Sequence, residues 1–157
     1  MLNAFTLNGP SVRNLPAATL RAALADAIAS DATLASLVGD RVTYGMVPQS
    51  RDPADAAIAY QVVSIVRPTA LDAPLTIQSA RAQIAVSGHD AEAVEDCAEA
   101  VRLLLHGFTG TLAGVVTVKE CRIEAERDLP EDPGDGSDRW MYRTVIDAII
   151  RYIEARP

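Results

Sequence analysis

Cysteine and histidine are scarce: the 157-residue chain has two of each. Cys97 and Cys121 lie far apart, on the expected apolar faces of a helix and a strand. They are expected to be two buried thiols rather than a disulfide, which fits a chain made in a reducing cytosol. With His89 and His106 they are the soft metal ligands available, but no Cys-x-x-Cys or His-x-x-x-His pair occurs, so no zinc site is expected. Basic residues do not dominate either. The formal net charge is −7, which argues against sequence-independent DNA binding, since that needs a basic footprint to displace counterions. No apolar run approaches the roughly 20 residues a membrane span requires. The N-terminus lacks a basic stretch followed by an apolar core, so a secretory signal is not expected.

Catalytic signatures are also missing. There is no Gly-x-x-x-x-Gly-Lys-Ser/Thr loop, no Gly-x-Gly-x-x-Gly and no Gly-x-Ser-x-Gly elbow. Ser87, His89 and Asp90 are sequence neighbours at a strand–helix junction, where side chains diverge, whereas a triad needs convergence. Asp90 suits a helix N-cap and His89 an exposed loop position. His106 falls in the last helical turn, where an imidazole favours the negative end of the dipole. The acidic stretch after position 127 lacks the alternating ligands and terminal Glu of a calcium-binding loop. Trp140 and Tyr142 read as core or rim packing. No catalytic, cofactor-binding or metal-ligating residue is therefore assigned, and no cofactor is expected. An enzyme or small ligand-binding domain would need a concave pocket with converging polar groups.

What is present suits one folded domain. Apolar residues make up 49% and charged residues 22%, an ordinary globular balance. Chains of this size bury roughly two thirds of their unfolded surface. The stretch Thr76 to Gly107 organises the rest. Ala80, Ala82, Ile84 and Val86 alternate with Ser79, Arg81, Gln83 and Ser87, marking a strand with one buried face. After Gly88-His89-Asp90, a helix places Val94, Cys97, Ala98, Val101 and Leu105 on one side and Glu92, Glu95, Asp96, Glu99 and Arg102 on the other.

Met1 to Arg13 has no clear period and reads as an extended arm or a solvated tail. A helix beginning near Asn14-Leu15-Pro16 lines up Leu20, Leu24 and Ile28. Asp31 caps a second carrying Leu34, Leu37 and Val38, stopped at Gly39. Arg41 to Val47 reads as a short strand, followed by a polar loop, Ser50 to Ala56. Ala57 to Arg67 is apolar on both faces, as an interior strand would be, and pairs antiparallel with Thr76 to Ser87. Phe108-Thr-Gly-Thr is expected to be a connector. Val115 to Arg127 reads as a strand with Cys121, Ile123 and Ala125 on one face and Glu120, Arg122, Glu124 and Glu126 on the other. In Arg139 to Ile153 a four-residue spacing of Arg143, Asp147 and Arg151 satisfies a helix. Its β-branched content (Thr144, Val145, Ile146, Ile149, Ile150) decides for a strand.

The expected fold class is α+β, in the order α-α-β-β-β-α-β-β: a mostly antiparallel sheet of four to five strands with helices on one face. It forms one domain over residues 14–157. The sheet's other face would carry Arg81, Gln83, Glu120, Arg122, Glu124, Arg143 and Asp147. Mixed charge of this kind suits a solvated face, and these residues are also the candidate subunit or partner interface. A long hairpin loop, Asp128 to Asp138, carries Asp128, Glu131, Asp132, Asp135 and Asp138 and is expected to be flexible.

Several pieces in fixed order resemble the tail-completion or tail-terminator family of long-tailed bacteriophages and gene transfer agents, including the lambda-type terminator. They are Leu20-Arg-Ala-Ala-Leu, Leu37-Val-Gly-Asp-Arg-Val, Val47-Pro-Gln, Tyr60-Gln-Val-Val-Ser and Leu71-Asp-Ala. Ala80-Arg-Ala-Gln-Ile-Ala-Val, Val101-Arg-Leu-Leu-Leu-His-Gly-Phe and Tyr142-Arg-Thr-Val-Ile-Asp complete them. The match runs from about Pro16 to Ile153; the first 13 residues and the acidic loop depart from the family pattern. The resemblance implies a non-enzymatic virion protein, assembled in the bacterial cytoplasm and placed at the tail–neck junction. It would form a homohexameric ring that caps the tail tube at full length and meets a neck or head–tail connector protein. DNA would pass through the ring without specific binding, and no membrane is involved. A head-completion or connector-stopper protein is the neighbouring alternative, with a minor tail-tube subunit further off.

Overall fold

A computed structural model of the chain describes residues 16–46, 56–72, 76–114 and 116–153. The expected N-terminal arm, the Asn14 cap, most of the polar loop ending at Ala56 and the turn at positions 73–75 lie outside the described residues. The elements are α1 (Pro16–Ser30), α2 (Ala32–Val38), β1 (Val42–Tyr44), β2 (Ala57–Val66), β3 (Ile77–Gly88), α3 (Ala91–Leu105), β4 (Gly110–Leu112), β5 (Val116–Asp128) and β6 (Tyr142–Ile153).

Local chemistry sets the helices. In α1, Leu20, Leu24 and Ile28 recur every fourth residue and are fully buried, each contributing about 2 kcal/mol of apolar burial. The Asp31 carboxylate accepts from the Leu34 backbone N–H at 2.9 Å, and Gly39, at φ 55°, ends α2. Arg41 ties that corner down: its Nε donates to the Ala56 carbonyl and its Nη2 to the Leu37 carbonyl, both at 3.0 Å. Asp90 opens α3 by accepting from the backbone N–H groups of Glu92 and Ala93.

The strands form one six-stranded sheet in the order β1-β2-β3-β6-β5-β4. β6, last in sequence, lies between β3 and β5 and pairs antiparallel with both. β3 and β5 therefore run parallel to each other, joined by α3 across one intervening strand, a split β-α-β arrangement. Pairing of Ile84 with Ile146 and Ala80 with Ile150 puts the even-numbered residues of both strands on one face. The helices cover that face, burying Val94, Cys97 and Val101 against Ile84, Val86, Cys121 and Ile150.

The α+β class and the strand reading of the last segment hold, with differences that have physical causes. Among the described residues there are six strands, because the expected Phe108-Thr-Gly-Thr connector contains β4, which pairs with residues 116–118 of β5. β1 is three residues long and runs parallel to β2, the one parallel pair among the described strands. β2 is not an interior strand along its length. β1 covers only Ile58 to Tyr60, and a bulge between Val62 and Ser64 leaves Val63 outside the ladder and 51% exposed. Its apolar run thus reflects a shift of face at the bulge as well as burial.

A second bulge, between Ile123 and Ala125, corrects the expected faces of β5. Ala125 sits opposite Asp147, on the face away from the helices, and Glu126 opposite Ile146, on the helix side. There Glu126 accepts from Arg102 of α3 at 3.2 Å. One inserted residue reverses the parity of everything after it.

Candidate functional site: the outward sheet face

The face of the sheet away from the helices is organised around one carboxylate. Asp147 projects from the middle of β6, yet its side chain is 1% exposed. Its Oδ2 accepts from Arg81 Nη2 of β3 at 3.0 Å and from Arg127 Nη2 of β5 at 3.2 Å. Its Oδ1 accepts from Gln83 Nε2 at 3.2 Å, and Gln83 Oε1 accepts in turn from Gln61 Nε2 of β2 at 3.0 Å. One network thus crosses four adjacent strands. A buried carboxylate must be paired and hydrogen-bonded or it costs several kcal/mol, and here both oxygens are engaged.

Two further ion pairs flank this hub. Arg151 Nη1 meets Glu120 Oε2 at 3.4 Å, and Arg143 Nη1 meets Glu131 Oε1 at 3.1 Å. All four side chains are at least one-third exposed, so each pair contributes about 0–1 kcal/mol. Arg122 stands opposite Ile149 on the same face, exposed and without an ion pair among the described residues. Of the seven expected residues, Arg81, Gln83 and Asp147 converge. Glu120 and Arg143 sit in separate pairs, Arg122 stands alone, and Glu124 is the extra residue of the β5 bulge.

Arg127, Gln61 and Arg151 belong to this face and are not among the seven residues expected on it from the sequence. Gln61 was findable from its register with Gln83, and Arg151 from its place four residues after Asp147. Arg127 was not, because only the bulge turns it outward.

The acidic hairpin is hydrogen-bonded at its base. The ladder continues past Asp128 through Leu129 N–H to the Arg143 carbonyl and reciprocal bonds between Glu131 and Met141. Thr144 Oγ1 donates to the Asp128 carboxylate at 2.8 Å. At the tip, Asp132 accepts from the Gly134 N–H and Asp135 from the Ser137 N–H, the local turns these short side chains favour. Hydrogen bonding from Ser137 holds the Asp135 carboxyl below the usual carboxylate range. Asp138 offers its backbone carbonyl to the Trp140 N–H.

The histidines are structural. His89 Nδ1–H donates to the Trp140 carbonyl at 2.9 Å, joining the β3–α3 corner to the hairpin. His106 Nδ1 accepts from the Ile123 backbone N–H at 3.1 Å; its role is to cap an open position of β5, not to meet the helix dipole. Both cysteines are buried and free, and burial pushes the Cys97 thiol up to about 12 and Cys121 to about 11. Such thiols are poor nucleophiles at neutral pH. Among the described residues, no three His, Cys, Asp or Glu side chains are grouped to hold a metal. No described helix is long and apolar enough to cross a membrane.

The outward face is thus organised by cross-strand ion pairs and hydrogen bonds around one buried carboxylate. A sequence profile of the tail completion protein gp17 family matches residues 22–152, spanning α1 to β6, and the chain belongs to that family of structural proteins of the tailed virion. A chain in the virion of a native gene transfer agent particle shares the fold, with a TM-score of 0.67 and 20% identity. The alignment covers 86% of this chain and 95% of that one. Two structures from Akkermansia muciniphila align at TM-scores of 0.30 and 0.23, with 12% and 18% identity, over 62% of this chain and under half of theirs. No curated protein matches the sequence.

Proposed function

We propose that this chain is the ring-forming subunit that caps the tail tube at its final length and joins the tail to the neck connector, without catalysing a reaction. The observation that carries this reading is the match to the tail completion family over residues 22–152. Near-complete coverage of the gene transfer agent virion chain supports it, since the likeness extends over a whole virion subunit. Geometry adds physical support. A closed ring needs two different patches on each subunit, and this two-layer fold has a helix side and a sheet side of different chemistry. The partners are further copies of the chain in a homohexameric ring, the tail tube protein, and the neck or head–tail connector protein. Its net charge of −7 fits a channel that DNA passes without adhering.

Deletion of the gene from its particle-encoding genome, with negative-stain electron microscopy of the lysate, tests this. Overlong irregular tails beside tailless filled heads are expected. Tails of normal length that fail to join heads would move the function to a head-completion or connector-stopper protein. Unchanged particles would refute both.

A further inference from the structure

We infer that the subunits of the ring meet head to tail, the acidic helix α3 of one copy docking on the arginine-bearing outward sheet face of the next. The inference rests on the ring reading above and specifies its contact.

Charge is segregated between the two layers. Across residues 90–105, Asp90, Glu92, Glu95, Asp96 and Glu99 face a single basic residue, Arg102. Arg102 is already engaged by Glu99 and by Glu126. Glu92, Glu95 and Asp96 have no ion pair among the described residues, and all three are exposed or nearly so. Glu95, Asp96 and Glu99 line one wall of a groove of about 550 Å³ between α3 and the paired strands β5 and β6. Glu126 and Asp128 stand on its opposite wall. Arg102 and Arg143 also line the groove, so on the helix side five carboxylates stand against two guanidiniums and the balance is acidic.

The sheet side has the opposite balance. Arg81, Arg122, Arg127, Arg143 and Arg151 project from it, and Asp147, Glu120 and Glu131 account for four of them as partners. Even with Glu124 of the bulge counted, the face is net positive within a chain of net charge −7. Arg122 is the exposed guanidinium left over.

The two patches lie on opposite layers of the subunit, so neither can meet its own copy through a two-fold axis without placing like charges together. Each contact must instead join unlike patches and leave one of each open, which propagates head to tail and closes where the rotation allows. Unlike charges also orient the encounter and penalise reversed docking.

Charge reversal on the purified full chain, followed by sedimentation velocity across a concentration series, tests this. Arg122→Glu and the double variant Glu95→Lys/Asp96→Lys are each expected to weaken association at least tenfold. Their thermal midpoints should stay near the parent's, because the altered side chains are exposed. A one-to-one mixture of the two variants is expected to assemble again, as each supplies the charge the other lacks, in rings of alternating subunits. Added salt should weaken the parent ring, since exposed charges are screened within about 10 Å at 0.1 M. Parent rings indifferent to both reversals, or variants that fail to recover on mixing, would overturn this contact and leave the ring reading standing. A parent chain that stays monomeric at every concentration would overturn both.

Discussion

Asp147 and its two arginines allow a prediction whose asymmetry is worked from the geometry. The carboxylate is 1% exposed, whereas the Arg81 and Arg127 side chains are 45% and 55% exposed. Replacing Asp147 with Asn removes the buried charge and releases two guanidiniums that already reach water. The charged hydrogen bonds lost are each worth about 1.5–3 kcal/mol when fully desolvated. Hydration of half-exposed partners recovers much of that, leaving a net cost of about 1–2 kcal/mol. Replacing Arg81 and Arg127 together with Met does the reverse. It strands a buried carboxylate with Gln83 as its remaining partner, and an unpaired buried charge costs about 3–5 kcal/mol. Urea unfolding of dilute protein at pH 7, followed by far-UV circular dichroism, reads both. The double arginine variant should lose at least twice the stability of the Asp147→Asn variant, although it removes only exposed-looking residues. At about 2–4 °C per kcal/mol for a chain of this length, the thermal midpoints should separate clearly. Equal losses would mean that water reaches Asp147 and that the hub is not a buried site. Arg81 is thus as much a fold residue as a surface one, and its reversal should damage folding, unlike reversal of Arg143.

Both buried thiols should make the protein sensitive to alkali. Each folded value lies above the unfolded value of 9.0, so the folded state holds its proton longer; stability is complete below pH 9 and falls as pH rises. Each group contributes up to about 1.4 kcal/mol per pH unit in that window, so the two together cost about 4 kcal/mol between pH 9 and 11. Alanine at both positions should flatten the profile, and an unchanged profile would refute the assignment. Asp90→Ala removes the α3 cap and should cost about 1 kcal/mol by chemical denaturation; no loss would show that the corner is held by other contacts. Replacing residues 132–139 with a two-residue turn keeps the ladder through Glu131 and Met141. Such a variant should unfold within about 1 kcal/mol of the parent, and failure to fold would show that the hairpin tip supports the sheet.

What the sequence made legible follows its regularities. Strict alternation in β3 and three-to-four spacing in α3 identified the sheet's centre and its covering helix. Asp31 and Asp90 are short acceptors placed one residue before apolar-periodic runs, and both cap as read. β-branching in Thr144, Val145, Ile146, Ile149 and Ile150 outweighed a misleading four-residue charge spacing. The misses have local causes. Three residues of β4, Gly110–Leu112, are too few to display alternation. The parallel pairing of β1 is decided by the path of the chain, and nothing in Val42, Thr43 and Tyr44 encodes it. Bulges in β2 and β5 are set by tertiary pairing, so Ala125 and Glu126 exchanged faces without any sign in composition. Arg127 was lost for that reason, and with it the partner that completes the Asp147 site.

The same site bears on how the strands find their register. On the helix-covered face β3 contributes Ala80 and Ala82, small side chains that discriminate less between alternative pairings than Ile84 and Val86 beside them. In β6, Ile146, Ala148 and Ile150 repeat at intervals of two, so a two-residue slip would keep the apolar pattern facing the helices. It would not keep the hub. Asp147 would move away from Gln83, to stand opposite Arg81 or Ala85 according to the direction of the slip, and the arrangement that now saturates both oxygens would be lost. The penalty for that unpaired charge, about 3–5 kcal/mol, exceeds what alanine packing supplies for choosing between registers. An apolar residue at the same point would pack in either register. Asp147→Leu should therefore retain helix and strand content while populating more than one pairing, seen as doubled amide signals for β3 and β6 in a two-dimensional NMR spectrum. A single sharp set would place register control elsewhere, with the bulges of β2 and β5 as its source. Under the head-to-tail contact proposed above, register would also fix where Arg81, Arg122 and Arg127 stand on the outward face, since β3 and β5 both pair with the strand that carries this carboxylate.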